Sequence, residues 1–477
     1  MSFQYQQLAE QIAQKIYQGE LKANDKLNAL RSFAQLHQIS MTTAKACYEL
    51  LESQGLITAK SKVGYFVNAV LAQQKLTDPP IHPEFLSHPR QIENVALQNE
   101  IQHASIHPHR LHLGAIQLSP TLIPSEALRR SLQRALKHSR PEDFLYSDKQ
   151  GHHLLRKALS AHWAEDGFYI SDESIYITSG CMPALSVAIQ MLTKVGEGLI
   201  VPMPNFNGQQ LLLANLGRKI VEIPSSHAGI DLQRLEQAMA DSGAKVCLLT
   251  ANFQNPLGFC LSNTEKAHIA KLAERYQCDV IEDDIYAECG HGLERPLPIQ
   301  YWDQAGYVFL CSSISKSVSP AYRIGWLCLP SNRQDLKDQL LSLLAIVNTP
   351  LQLGLADFIH SRAYRAHLNR LRPKLQRQVQ AYQQFISTTF DGLDIKLTQP
   401  KGGYALWMQL PNEITGLSVY EFAKQNHMNI VPGEVFGEDH RYANFIRLSA
   451  GSPLSAEICD VLCKIQHWMQ EKIAEKA

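Results

Sequence analysis

The chain has 477 residues, 45% apolar and 19% charged, with 45 Lys/Arg against 45 Asp/Glu. That length exceeds what one hydrophobic core ordinarily organises, the composition excludes wholesale disorder, and the neutral balance removes any bulk electrostatic case for a polyanionic partner. No run of about 18 apolar residues occurs, so no membrane span is expected. Ten cysteines lack framework spacing and form no Cys-x-x-Cys pair. Behind an N-terminus without signal-peptide character they read as reduced thiols of a cytoplasmic protein.

Residues 1–67 carry seven Lys/Arg and five Asp/Glu, and the remainder 38 and 40, a weak positive bias at the N-terminus. Leu8, Ile12 and Ile16 recur at helical spacing and predict a helix over 5–18 that Gly19 ends. Residues 21–27 read as a short extended or turn segment. A second helix is expected over 28–38 with Asn28 as its N-cap, and a third over 41–54, capped by Ser40 and stopped by Gly55. Residues 56–60 and 64–67 read as two strands joined by a tight turn.

Two helices about a short turn, then a β-hairpin, is the plan of a winged helix-turn-helix, whose second helix of the pair presents its N-terminal side chains to the major groove. That end offers Ser40, Thr42, Thr43 and Lys45; Arg31 lies in the preceding helix, and Lys62 and Gly64 lie in the wing. Hydroxyls suit phosphate or base contacts, and lysine suits a phosphate or a guanine edge. The segments Leu27-Asn28-Ala29-Leu30-Arg31, Ser40-Met41-Thr42-Thr43 and Lys62-Val63-Gly64-Tyr65 resemble the motif of the GntR regulator family. Asn28 stands where that family has proline, and Met41 where it has arginine. The resemblance implies a double-stranded DNA operator as partner. A domain serving protein contacts alone is the plainer alternative.

Residues 68–110 are rich in Pro, His and Gln and read as a linker of about 40 residues. His103, His107, His109 and His112 fall there or at its end, but ligand sets need a scaffold, so no metal site is expected. From Leu111 to the end strands alternate with helices, which predicts an α/β domain over 111–477 with a mainly parallel sheet.

Several strand ends of this domain carry polar clusters. Asp283 and Tyr286 follow the apolar run Val280-Ile281, where α/β sites sit. Ser313-Ile314-Ser315-Lys316 precedes Arg323-Ile324-Gly325, and arginine is shaped for a bidentate phosphate grip. Asn255-Pro256-Leu257-Gly258 ends another strand, and Thr178-Ser179-Gly180-Cys181-Met182 runs from strand into helix, where backbone N–H groups suit an anion. Each alone has a bland reading: surface lysine, helix-capping acids, ordinary turn. Their order and spacing resemble the fold-type I pyridoxal-phosphate (PLP) enzymes of the aminotransferase class.

That resemblance implies a large PLP domain followed by a smaller C-terminal α/β subdomain. It implies Lys316 as the lysine that carries the cofactor, Asp283 at the pyridine nitrogen, and Tyr286 and Asn255 as donors to the phenolic oxygen. Ser313, Ser315, Arg323 and the Gly180-Cys181-Met182 turn would bind the phosphate, backbone alone serving at Cys181 and Met182. Phe206, after Pro204-Asn205, would stack on the ring as the family's tyrosine does, though a core phenylalanine is its plain alternative. Tyr146, before Gly151, would reach the phosphate of the partner subunit and so implies a homodimer. Arg447, in Ile446-Arg447-Leu448, would grip a substrate or effector carboxylate. The two halves together resemble the MocR-type transcriptional regulators, in which the large domain senses PLP, an amino acid or an amine. The rival expectation is an active PLP-dependent aminotransferase (a transferase) with a DNA-binding appendage.

Overall fold

The computed structural model describes residues 4–17, 20–22, 24–53, 56–60, 63–67, 77–79, 89–91, 95–104, 111–292, 294–438 and 440–476. The chain divides into two compact units, one of residues 1–76 with 379–388, the other of residues 77–378 with 389–477.

In the first unit, helices Gln4–Tyr17, Leu30–Leu36 and Met41–Ser53 precede an antiparallel hairpin, Ile57–Lys60 with Gly64–Val67, in which Ile57 faces Val67 and Lys60 faces Gly64. The buried stripe of the first helix is Ala9, Ala13 and Ile16, with Leu8 and Ile12 packed at its margin. Small alanines let Phe33, Cys47, Tyr48 and Leu51 of the other helices close over it. Residues 24–27 pair with the hairpin: Asn24 N–H donates to Val67 O (2.8 Å) and Leu27 N–H to Tyr65 O (2.9 Å). The expected N-cap at Asn28 is corrected. The second helix begins at Leu30 behind Ala29, which makes no side-chain cap, and the Asn28 carbonyl instead accepts the Tyr48 hydroxyl at 2.9 Å.

The large unit is built on an eight-stranded sheet in the order Ile175–Thr178, Gly325–Cys328, Val308–Ser313, Asp279–Asp283, Val246–Leu249, Gly198–Met203, Lys219–Ser226, Gly229–Ile230. From Val308–Ser313 across to Lys219–Ser226 the strands are parallel, and the outer pairings are antiparallel. Side chains alternate between two cores. Phe309 and Cys311 pack with Ala184, Leu185 and Ala188 of helix Cys181–Leu192, while Leu310 packs with Leu155, Leu159 and Trp163 of helix His153–Glu165. A sheet covered on both faces needs such apolar runs, and its polar positions therefore cluster at strand ends. A smaller antiparallel sheet follows, in the order Lys396–Leu397, Ala405–Gln409, Phe445–Ser449, Val431–Pro432. Beside it Leu111–His112 pairs in parallel with Met428–Asn429.

The reading of 68–110 as an irregular linker needs one correction. Val95–Ala104 is a helix, with Gln98 and Ile101 buried and Glu100 paired to Lys424 at 2.9 Å. Arg90 also exchanges backbone hydrogen bonds with Ile220 at 3.0 and 2.9 Å. Among the described residues no His/Cys/Asp/Glu group has metal-site geometry. His107 and His109 lie outside those residues.

Candidate functional site

Chain alternation separates Glu282, Asp283 and Asp284 at the end of strand Asp279–Asp283. Glu282 accepts the Ile299 and Gln300 N–H groups at 2.8 and 3.2 Å, and burial pushes its carboxyl up to about 8. Asp284 accepts from Asn252 at 2.7 Å and pairs with Arg295 at 2.5 Å. Both are held structurally. Asp283 points the other way and, among the described residues, accepts from neutral donors: Gln209 Nε2 at 2.7 Å, the Cys181 thiol at 3.2 Å and the Ile285 N–H at 3.2 Å. Burial raises its proton affinity, and those donors oppose the rise.

Lys316 follows strand Val308–Ser313 and is half-buried. Its Nζ donates to the Ile116 carbonyl at 2.5 Å and lies 5.9 Å from the centre of the Tyr286 ring. Its own carbonyl accepts the Tyr404 hydroxyl at 3.3 Å and the Cys289 thiol at 3.4 Å, which fixes the main chain at the lysine. Burial first, and then the nearby charge of Arg447, lower its ammonium to about 8. Tyr286 is buried and its phenol is raised by that burial, so it stays a hydroxyl donor.

Arg447 stands on strand Phe445–Ser449 opposite Trp407 and Val431, only 3% exposed. Its guanidinium donates to the Gly114 carbonyl and, at 3.4 Å, to Asn255 Oδ1, and lies 5.7 Å over the Phe436 ring. Its Nε is buried with no partner among the described residues. Among the described residues no carboxylate pairs with it, and burial lowers its proton affinity to about 10. A buried cation without an anion is costly. Such a group is suited to an incoming carboxylate.

The Arg323-x-Gly325 spacing has a steric meaning. A Cβ at Gly325 would lie 2.5 Å from the Gly180 carbonyl carbon and 2.8 Å from the Cys181 nitrogen. Glycine there lets the start of helix Cys181–Leu192 lie against the strand. Gly180 itself has φ +118°, and a Cβ would lie 2.8 Å from Arg323 Nη2, which donates to the Ser179 carbonyl at 3.0 Å. The helix N-terminus and the Arg323 guanidinium thus adjoin, with Ser313 and Ser315 buried nearby in chain order and the Ser315 N–H on Ser313 Oγ at 3.2 Å.

The remaining expected site residues take these places in the structure. The Cys181 thiol serves Asp283, and half-buried Met182 packs against the core, so neither side chain is free for an anion. Phe206 is half-buried with its ring against Gly208, where a Cβ would lie 2.6 Å from Cε1. Tyr146 is 97% exposed, beside exposed Phe144 and Leu145, and no contact joins it to the site of its own chain among the described residues. Sequence reasoning missed Gln209, and also the carbonyls of Gly114 and Ile116. The only signal for Gln209 was its place one turn after Phe206.

In the N-terminal unit, Ser40 Oγ accepts the Thr43 N–H at 3.0 Å and bonds Thr43 Oγ1 at 2.8 Å, the N-cap geometry expected. Those two hydroxyls are engaged at the helix start. Thr42, Lys45 and Arg31 lie toward solvent, Lys45 3.5 Å from Glu49. Gly64 has φ +125° and a Cβ there would lie 3.1 Å from Lys26 Cε, so the turn itself requires glycine. Lys62 lies outside the described residues.

Residues 111–465 match aminotransferase class I and II, and residues 4–67 match the bacterial regulatory proteins of the gntR family. The uncharacterized HTH-type transcriptional regulator YdcR of Escherichia coli (strain K12) is 35% identical over 93% of this chain and 94% of its own. YjiR of the same organism, named in the same way, is 31% identical over 97% of each. Among solved structures, the α-aminoadipate aminotransferase LysN of Thermus thermophilus, complexed with N-(5'-phosphopyridoxyl)-L-leucine, superimposes with TM-score 0.71 at 21% identity. It covers 80% of this chain and 98% of that one.

Proposed function

This chain belongs to the aminotransferase class I and II family through residues 111–465 and to the gntR-type bacterial regulatory proteins through residues 4–67; from that premise we propose that it is a DNA-binding transcriptional regulator whose large unit holds PLP and senses an amino acid, an amine or the cofactor itself. The observation that carries the proposal is one cluster: an amine lowered to about 8, a buried carboxylate with neutral donors only, and a buried arginine without an anion among the described residues. Each of these groups matches one part of PLP or of an amino acid bound with it. The relatives named as transcriptional regulators span both units, which supports regulation over a reader joined to an unrelated enzyme.

When bound, PLP supplies an aldehyde carbon for a primary amine and a ring that accepts electrons. The rest belongs to the protein. Lys316 presents about a tenth of its amine neutral at pH 7, against well under a thousandth for a lysine in water. Asp283 would keep a proton on a ring nitrogen, and Tyr286 and Asn255 would serve the phenolic oxygen. The Gly180–Cys181 helix start with Ser313, Ser315 and Arg323 would hold the phosphate. Arg447 would exchange the Gly114 carbonyl for a ligand carboxylate. Tyr146, exposed in its own chain, would reach the site of a second copy, so the working form is a homodimer.

Regulation requires a ligand that binds two DNA-binding states unequally. The second reading, a working aminotransferase, is favoured by the intact set Lys316, Asp283, Tyr286 and Arg447. Turnover assays with amino acid and keto-acid pairs, run beside DNA-binding measurements on the same sample, separate the two. The regulator shows ligand-dependent DNA affinity with slow conversion at most. Many turnovers with DNA affinity indifferent to substrate would overturn it.

A further inference from the structure

Asp283 is 5% exposed, and its two oxygens are occupied separately. Oδ2 accepts Gln209 Nε2 at 2.7 Å, and Oδ1 accepts the Cys181 thiol at 3.2 Å and the Ile285 N–H at 3.2 Å. Gln209 is 1% exposed and Cys181 4%. The titratable groups that face Asp283 are Cys181, Cys311, Asp284, Tyr286 and Lys316. Lys316 is the cation of that set, and its amine is turned to the Ile116 carbonyl instead. Among the described residues the carboxylate is therefore held by neutral donors alone.

Among the described residues the Gln209 side chain makes no other hydrogen bond. Its Oε1 is buried with no partner among those residues. An amide buried with one end unsatisfied costs stability that a leucine of similar size would not. The compensating contact is the single N–H donated to Asp283. Its location has a second consequence: Phe206 and Gln209 lie three residues apart at the start of helix Asn207–Asn215, so they share one side of that turn. Cys181 is likewise the first residue of the helix whose N-terminus adjoins Arg323. Two helix starts thus converge on one acid.

We propose that Gln209 and Cys181 are positioning residues that keep Asp283 ionised and fix its orientation toward the ring nitrogen of the bound cofactor. This rests on the PLP reading above and adds the device that tunes the acid. Neutral donors do this without supplying a competing cation. They oppose protonation of the buried carboxylate, yet leave its negative charge to be matched by the ring N–H. A lysine or arginine in place of Gln209 would neutralise the acid before the cofactor arrived.

The test uses the full-length protein loaded with PLP. The readout is the pH midpoint of the cofactor's visible absorbance change, with PLP affinity measured in parallel. Gln209→Leu keeps the volume and removes the donor. With Asp283 more easily protonated, the ring loses its proton, less charge is withdrawn from the Lys316 linkage, and the midpoint moves up by about one unit. PLP affinity falls about tenfold to a hundredfold, as for a lost hydrogen bond to a charged group. Cys181→Ala shifts the midpoint in the same direction and Cys181→Ser restores it, because an O–H replaces the S–H. A Gln209→Leu protein that loads PLP on Lys316 with an unmoved midpoint overturns the proposal, even if its melting temperature falls. Should that variant not fold, equal midpoints in Cys181→Ala and Cys181→Ser overturn it instead. A wild-type chain that takes up no PLP at Lys316 overturns the underlying reading, and this proposal with it.

Discussion

In the N-terminal unit the hydroxyls of Ser40 and Thr43 satisfy the start of their own helix, and Gly64 is required by its own turn. In the large unit Asp283 and Arg447 are buried and Lys316 is half-buried, with no ion-pair partner among the described residues, and Gln209 leaves an amide oxygen unsatisfied. Buried charges without a counter-ion and a buried amide oxygen without a donor cost stability, so their presence points to a ligand. Exposed polar groups carry no such penalty, and those of the reader are explained by capping and turns as readily as by DNA. The large unit therefore singles out individual residues. The reader assigns a surface, with Thr42, Lys45 and Arg31 left facing solvent.

The contrast is sharpened most by Arg447→Ala. Removing the buried partner of a bound carboxylate costs about 2–5 kcal/mol, or about thirty-fold to several thousand-fold in affinity for an amino-acid effector. Titration of the visible band with amino acids reads this directly. The internal cofactor linkage survives. The same variant carries a pH signature. Lys316 reacts as the neutral amine, so PLP capture rises with pH through a midpoint of about 8 in the wild type. Arg447 is the second cause of that lowering, so its removal moves the midpoint of capture upward, as stopped-flow absorbance will show. An effector response untouched by Arg447→Ala would reassign the arginine to structure.

A smaller effect is expected at Gly325. A Cβ there meets the Gly180 carbonyl carbon at 2.5 Å, so Gly325→Ala pushes the helix start away from the strand. Overpacking of this kind costs about 1–3 kcal/mol. It weakens PLP binding while Lys316 stays the labelled residue, measurable by equilibrium dialysis and peptide mapping.

The smallest effects belong to the reader. Ser40→Ala costs about 1 kcal/mol of that unit's stability by loss of the cap, seen in a thermal melt. Lys45→Ala and Arg31→Ala leave the melt and the PLP spectrum alone but each reduces the slope of log affinity against log salt by about one. A DNA affinity and salt slope unchanged in both would move the DNA-contacting surface elsewhere.

The features legible in the sequence were those fixed by local spacing. The Ser313–Gly325 segment and the Asp283–Tyr286 strand end carry their geometry in a few consecutive residues, and the hairpin and Ser40 cap do likewise. What was not legible depends on topology. The Gly114 and Ile116 carbonyls have no side-chain identity to read, and they reach Arg447 and Lys316 across 333 and 200 residues. Gln209 looks like any helix glutamine until strand order brings it to Asp283. Helix Val95–Ala104 was hidden by its Pro- and His-rich surroundings. Asn28 satisfies the rule for an N-cap, but its carbonyl is held by Tyr48, and the helix starts two residues later. Leu8 and Ile12 follow the expected stripe, yet the close packing of three short helices selects Ala9 and Ala13 for the centre.

Under the proposed function, ligand chemistry at Lys316 changes the grip of the reader on DNA. The direct measurement is DNA affinity of the full-length protein by fluorescence anisotropy, without ligand, with PLP, and with PLP plus an amino-acid or amine panel. The wild-type protein and Lys316→Ala are compared at one salt concentration. At least one ligand state is expected to shift wild-type affinity by about five-fold to 150-fold, the usual range of coupling between sites, and Lys316→Ala to abolish both the covalent cofactor and the shift. Wild-type DNA affinity identical in every state, in a protein that carries PLP on Lys316 and turns over amino acids, would contradict it.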